Sequence, residues 1–360
     1  MPPSWISSPG APPGRRCVLA APLAEITDSA FRALCLECGA DGATTEMACA
    51  AGIVRGSAAS FALLSRLGSE RGPCSAQLYG HDPAELGAAA KTVAETGAFD
   101  AIDLNAGCPM KRITANGDGA ALMGDVALFG RCVEAMAKAS APLPLTVKTR
   151  VGLVPEKPIA ALLARTAESA GAAAIVVHGR FASQIHAGAV AADEIAAAVA
   201  AVRIPVVANG GVKSARDAVA LADETGAAGV MVGRGAVGNP WIFGDIRAAF
   251  DGGPAPAGGP ERTDEEVFEM FRRHVGLLRE AKEAAARIRG AALSREEKEA
   301  AVALDARRHL LCYFKGRRGA SALRRAAGAA RSAEEIFAAV AAAGYGSLES
   351  ATESSPSVGI

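Results

Sequence analysis

Aromatic side chains are scarce: phenylalanine, tyrosine and tryptophan make up only 4% of the 360 residues. That scarcity argues against an aromatic-rich β-sandwich and for Ala-rich helices packed closely on a sheet. Neither charge is in excess, since 38 basic residues balance 38 acidic ones. A globally basic nucleic-acid binder is therefore excluded, and any basic surface must be local. No run of about 18 apolar residues escapes a charge or a breaker, so no membrane span is expected. No second pair accompanies Cys35 and Cys38. A lone C-x-x-C inside a helical pattern reads as helix packing, and no metal is expected. The eight cysteines are scattered along the chain and read as reduced thiols of a cytoplasmic protein. The opening MPPSWISSPGAPPGRR holds too much Pro, Gly and Ser for a signal segment, and residues 1–16 read as a loose tail.

What is present is apolar content for a large core, half of the chain. Short apolar runs alternate with helical patterns. Strands are expected at Val18 to Ala21, Gly42 to Thr45, Cys74 to Leu78, Ala101 to Leu104, Leu145 to Lys148, Ala174 to His178, Pro205 to Ala208 and Gly229 to Val232. Helical spacing lies between most of them, with cap signals at Asp82, Asp125 and Ser214. Eight such units fit an α/β fold of the (β/α)8 TIM-barrel type over residues 17–250, near the usual span of about 250 residues. A doubly wound sheet is the alternative, but AAPLAEITD after the first strand lacks the G-x-G-x-x-G it needs. Residues 251–262, rich in Gly and Pro, read as a linker. Residues 263–345 read as a small helical domain opened by a capping box, Thr263 with Glu266, and 346–360 as a disordered tail.

Polar signals sit at strand ends: Pro22, Glu46, Gln77, Asn105 with Cys108, Lys148 with Arg150, His178 with Arg180, Asn209-Gly210-Gly211 and Gly233-Arg234-Gly235. A barrel brings all of these to one rim, where such folds keep their sites. The stretch AIDLNAGCP ends a buried strand in a polar turn that presents the Cys108 thiol. The two Gly-rich turns after the last strands suit a phosphate bound on backbone N–H groups, with Arg234 adding charge. Lys148 and His178 end strongly apolar strands and read either as satisfied polar groups at the rim or as functional groups; beside a flavin, Lys148 would stabilise the anionic reduced ring and Gln77 could bond the ring edge. From Arg307 to Arg331 there are eight basic residues and no acidic one, with Tyr313 and Phe314 interleaved. A solvated charged face and a nucleic-acid or phosphate contact are both open readings of that block.

The motifs AAPLAEITDSAFR, TEM, QLYG, DLNAGCPMKRI, GDGAALM, VKTRVG, VVHGR, VANGGV, GVMVGRGAVGNPWIF and ARRHLLCYFKGRRG follow one another in order. Together they resemble the tRNA-dihydrouridine synthases, close to their B subgroup. The resemblance implies an FMN-binding barrel, a helical tRNA-binding domain, and NADPH, or NADH, as reductant for the 5,6 double bond of uridines in tRNA. It implies Cys108 as the proton donor. It implies Pro22, Leu23, Ala24, Gln77, Lys148, His178, Asn209, Gly210, Gly211, Gly233 and Arg234 at the cofactor. Asn105, Arg150 and Arg180 fall near the uracil, and Arg307, Arg308, Lys315, Arg317 and Arg318 at the tRNA backbone. The expected state is a monomer. Phe181, Ala182, His186 and Gly211 depart from the family pattern, which bears on how uridine or phosphate is held. Two alternatives stay open at this point: a flavin-dependent dehydrogenase of small pyrimidines or dihydroorotate, and a catalytically inactive tRNA-binding barrel.

Overall fold

The computed structural model describes residues 3, 5–6, 15–256 and 261–346. Among the described residues there are nine parallel strands: β1 (Cys17–Ala20), β2 (Gly42–Thr44), β3 (Ala48–Cys49), β4 (Cys74–Tyr79), β5 (Ala101–Ala106), β6 (Leu145–Arg150), β7 (Ala174–His178), β8 (Val206–Asn209) and β9 (Gly229–Val232). Pairing of β1 with β9 and of β2 with β4 closes eight of them into a TIM barrel. The ninth, β3, is a two-residue addition on the outer end of β4, where Ala48 pairs with Leu78. It is too short to leave a sequence signature.

Strand periodicity explains why the barrel closes as it does. Val18, Ala20, Ala76, Leu78, Ile102, Leu104, Val147, Ile175 and Val177 point outward into the core shared with the surrounding helices. Leu19, Ala101, Ala174, Val176, Val207 and Met231 alternate with them and fill the interior. The helices of this layer are α1 (Ser29–Glu37), α2 (Ala50–Val54), α3 (Ala58–Leu63), α4 (Pro83–Glu95), α5 (Lys111–Thr114), α6 (Val126–Ala139), α7 (Ala160–Ser169), α8 (Ala192–Ala201), α9 (Ala215–Thr225) and α10 (Ile242–Phe250). Asp82, Asp125 and Ser214 cap α4, α6 and α9 through their side chains.

The expectation of a loose tail over residues 1–16 is corrected at the described positions. Trp5 and Ile6 are buried under the N-terminal end of the barrel against Leu19, Val176 and Met231. The indole lies so close to Gly42 that a Cβ there would stand 2.6 Å from its Cδ1. Burying an indole outweighs the Pro and Gly around it. Arg16 is likewise tied to the barrel, pairing with Asp223 at 2.6 Å. Of the expected linker, Arg262 is docked: it pairs with Asp245 at 3.0 Å and stacks over Trp241. The tail expected after Tyr345 lies outside the described residues from position 347 on.

The helical domain comprises α11 (Asp264–Ile288), α12 (Arg295–Tyr313), α13 (Ala320–Ala329) and α14 (Ala333–Ala342). The Thr263–Glu266 capping box is formed in both directions. Its core is continuous with the barrel, because Ala30, Ala33 and Leu34 of α1 join Phe271, Val275, Leu278 and Leu310 in one cluster. Phe31 of α1 stacks on His309 and lies beside His274. Tyr313 and Phe314, read from composition as interleaved with the basic block, are 4% and 2% exposed and belong to this core. Among the described residues no helix is long and apolar enough to cross a membrane.

Candidate active site

The inner faces of β5 and β6 grow polar toward their C-terminal ends. In β5 the inward positions run Ala101, Asp103, Asn105; in β6 they run Thr146, Lys148, Arg150. Register sets Asn105 beside Lys148, Arg150 beside His178, and His178 beside Asn209. Gln77, Asn105, Cys108, Lys148, Arg150, His178 and Asn209 are thus brought together at one mouth.

Cys108 sits half-buried in the turn that leaves β5. Asn105 Oδ1 accepts from Cys108 N at 3.0 Å and from Gly107 N at 3.2 Å. On the far side, Ala120 N donates to Cys108 O at 2.9 Å. Gly119, with φ +58°, comes so close that a Cβ would meet Cys108 O at 2.8 Å. Asp118, just before it, receives His81 Nδ1 at 2.8 Å. Arg150 braces the turn from below, Nε donating to Gly107 O at 2.8 Å.

The cations of the mouth have few anions to meet. Lys148 Nζ donates to Asn209 Oδ1 at 2.9 Å. Its pKa is lowered to about 8, first by burial and then by Arg150. Burial lowers Arg150 to about 10. Burial, with Lys148, Arg150 and Arg180 around it, lowers His178 to about 2, so its imidazole is neutral at physiological pH. Arg150 Nη1 donates to Phe181 O and Ile185 O, Arg180 Nε to Gly188 O, and Arg234 Nη2 to His186 O. These three arginines hold the 181–188 loop over the rim, bonding neutral carbonyls only. Ile185 there has φ +52°, a strained backbone for a β-branched residue, and its side chain is exposed. Phe181 is 7% exposed and packs in the core beside Gly152.

Two observations test whether an anionic cofactor fits. Arg180 Nη1 is buried with no hydrogen-bond partner among the described residues. Gly210, at φ +123°, lies where a Cβ would stand 2.8 Å from His178 Cδ2, leaving bare backbone beside Lys148's partner Asn209. An unmet guanidinium N–H and a cradle closed to any side chain suit a phosphate and an electron-rich ring. Among the described residues no three His, Cys, Asp or Glu gather as a metal-holding group.

The profile of a family described as dihydrouridine synthase matches residues 18–344. The chain belongs to the dihydrouridine synthase family. Within that family, a probable tRNA-dihydrouridine synthase of Mycobacterium tuberculosis is 37% identical over 329 residues, 89% of this chain and 80% of its own. A tRNA-dihydrouridine synthase B of Yersinia pestis is 37% identical over 259 residues, 71% of this chain and 80% of its own. Among solved structures, an old yellow enzyme homologue from Zymomonas mobilis has a TM-score of 0.46 at 13% identity, covering 66% of this chain and 89% of that one.

The basic residues expected at the tRNA divide in two. Arg307 donates to Gly328 O and Ala330 O, Arg308 pairs with Asp305 and Glu25, and Arg317 pairs with Asp264. Lys315, Arg318, Arg324 and Arg325 are exposed, with no carboxylate partner among the described residues. Sequence reasoning passed over Asp103 and Thr146, buried inside the barrel below Gln77. The signal was available: Asp103 falls two residues before Asn105, on the same strand face.

Proposed function

We propose that this dihydrouridine synthase reduces uridines of tRNA with bound FMN and NADPH, and that Cys108 supplies the proton. The observation that carries this reading is a braced thiol opening into a mouth whose cations are bonded to neutral acceptors. When bound, FMN supplies the hydride for the 5,6 double bond. Pro22, Leu23, Ala24, Gln77, Lys148, His178, Asn209, Gly210, Gly211, Gly233 and Arg234 are the residues that would hold it. Lys148 and the arginines offset negative charge on the ring and phosphate, and His178 stays neutral beside them. Cys108 holds a proton at Sγ and delivers it to C5 of the uracil. A thiol is a fitting proton donor for that carbon. Asn105 and Arg150 keep the turn in place while it does so.

A uracil stacked in folded tRNA must be extruded to reach the mouth. Lys315, Arg318, Arg324 and Arg325 are the free cations on the helical domain that suit backbone phosphates. They favour a polyanionic substrate over a free pyrimidine or dihydroorotate, and the braced Cys108 turn favours a working enzyme over an inactive binding module. We place the reaction in the cytoplasm, where unpaired cysteines stay reduced.

The purified protein should be yellow and release FMN on denaturation; a colourless protein that cannot be reconstituted overturns the flavin assignment. Cys108→Ala should keep FMN and slow dihydrouridine formation by about 10²-fold or more. Unchanged turnover removes Cys108 as the acid. Mapping dihydrouridine by position in tRNA from cells with and without the protein identifies the uridine.

A further inference from the structure

Asp103 is a carboxylate inside the barrel, 3% exposed, with no cation at ion-pair distance among the described residues. Burial raises its pKa against the hydrogen bonds of Thr146 and Gln77 and the charge of Lys148. Such a group is costly to bury, and its cost is met here only by donors aimed at it. Thr146 Oγ1 donates to Oδ1 at 2.5 Å, and Gln77 Nε2 donates to Oδ2 at 2.7 Å.

An ionised carboxylate only accepts, so it dictates which end of each neighbouring amide faces it. With Gln77 Nε2 committed to Asp103, Gln77 Oε1 is left to accept from Asn105 Nδ2, at 2.9 Å. With Asn105 Nδ2 so committed, Asn105 Oδ1 is left to accept from Gly107 N and Cys108 N. Each bond runs in one direction because the first one does. An amide reversed at Gln77 would set an oxygen against Asp103 and an N–H against Asn105 Nδ2, breaking the series at two places.

We propose that Asp103 is a positioning residue for Cys108, fixing through the ordered amides of Gln77 and Asn105 the turn that presents the thiol to the mouth. The catalytic consequence rests on the reading of Cys108 as proton donor; the geometric coupling does not. Asp103 itself does not touch Cys108; it reaches the mouth only through Gln77.

The test reads the turn and the chemistry separately on the FMN-loaded protein. Alkylation of Cys108 by iodoacetamide is followed by peptide mass spectrometry, with exposed Cys312 in the helical domain as internal reference. In Asp103→Leu the Cys108-to-Cys312 rate ratio should rise about fivefold, the equivalent of one hydrogen bond of about 1 kcal/mol. Dihydrouridine kcat should fall by a similar factor or more, with the KM for NADPH unchanged. Asp103→Asn should rescue both. Its Oδ1 accepts from Gln77 while its Nδ2 faces Thr146, whose hydroxyl turns to Ile102 O, now 3.4 Å away. Thr146→Val, which removes one donor to the carboxylate at constant shape, shifts the ratio in the same direction by less and serves if Asp103→Leu does not fold. An unchanged alkylation ratio in the folded Leu and Val variants, or an Asn variant as impaired as Leu, overturns the proposal. A Cys108→Ala enzyme with full turnover overturns the donor role alone and leaves the alkylation result standing.

Discussion

At the barrel mouth, Lys148, Arg150, Arg180 and Arg234 donate to an amide and to backbone carbonyls, with no carboxylate accepting from them among the described residues. In the helical domain, Arg279 pairs with Glu299 and Glu334, Lys282 with Asp305, and Arg317 with Asp264. One region gathers positive charge that protein groups leave unneutralised; the other spends much of it on holding helices together. The contrast teaches that a cation's worth to a ligand depends on what it already touches. Formal charge along the chain favoured the block from Arg307 to Arg331, yet part of that block is already paired with carboxylates, whereas the cations of the mouth donate to neutral groups.

The comparison breaks if the mouth does not need an anion. Arg180→Ala should weaken FMN binding about 30-fold, from losing one charged hydrogen bond of about 2 kcal/mol, as measured by quenching of flavin fluorescence. Arg317→Ala should leave that affinity alone. The next effect is one of pH. Lys148 carries its charge below about 8 and loses it above, so FMN affinity should fall about tenfold between pH 7 and 9, and Lys148→Met should flatten the fall. Folding stability moves the other way over the same group. Its folded pKa lies below the unfolded value of about 10.4, so the unfolded chain binds more protons between the two, and the burial cost of Lys148 is relieved as pH rises.

Smaller effects sharpen the other side. Arg318→Glu with Arg325→Glu should raise the tRNA KM about fivefold and reduce its salt dependence, with FMN content intact. Arg317→Ala should instead cost up to about 1 kcal/mol in urea unfolding, the range of an exposed pair. Of similar size is Ile185→Gly. Among the described residues, the non-glycine ones with a positive φ, Glu25 and Ile185, both lie in the barrel. Releasing the strain at Ile185 should raise the unfolding free energy by about 1 kcal/mol without improving turnover.

All eight barrel strands were legible because each is a short apolar run ending in a polar turn, and the mouth followed from their order. Segment ends moved where local chemistry decided: the strand expected from Pro205 begins at Val206 and carries Asn209 within it. What stayed hidden depends on distant partners. Arg32 and Glu70, both fully buried, meet bidentately at 2.9 and 3.0 Å across 38 residues. Asp264, which takes Arg317 out of the basic block, is 53 residues away from it. Asp103 reads as one polar residue in an apolar strand until β4 supplies Gln77 opposite it. Trp5 was masked by the composition of its neighbours, since its burial comes from the barrel floor and not from any helical or strand period.

That floor also sets the direction of approach. With Trp5 and Ile6 packed beneath the strands and side chains filling the interior, the described residues leave a visitor no path inward from the N-terminal end. Among the described residues the barrel is a cup rather than a tube, and Cys108 stands at its lip.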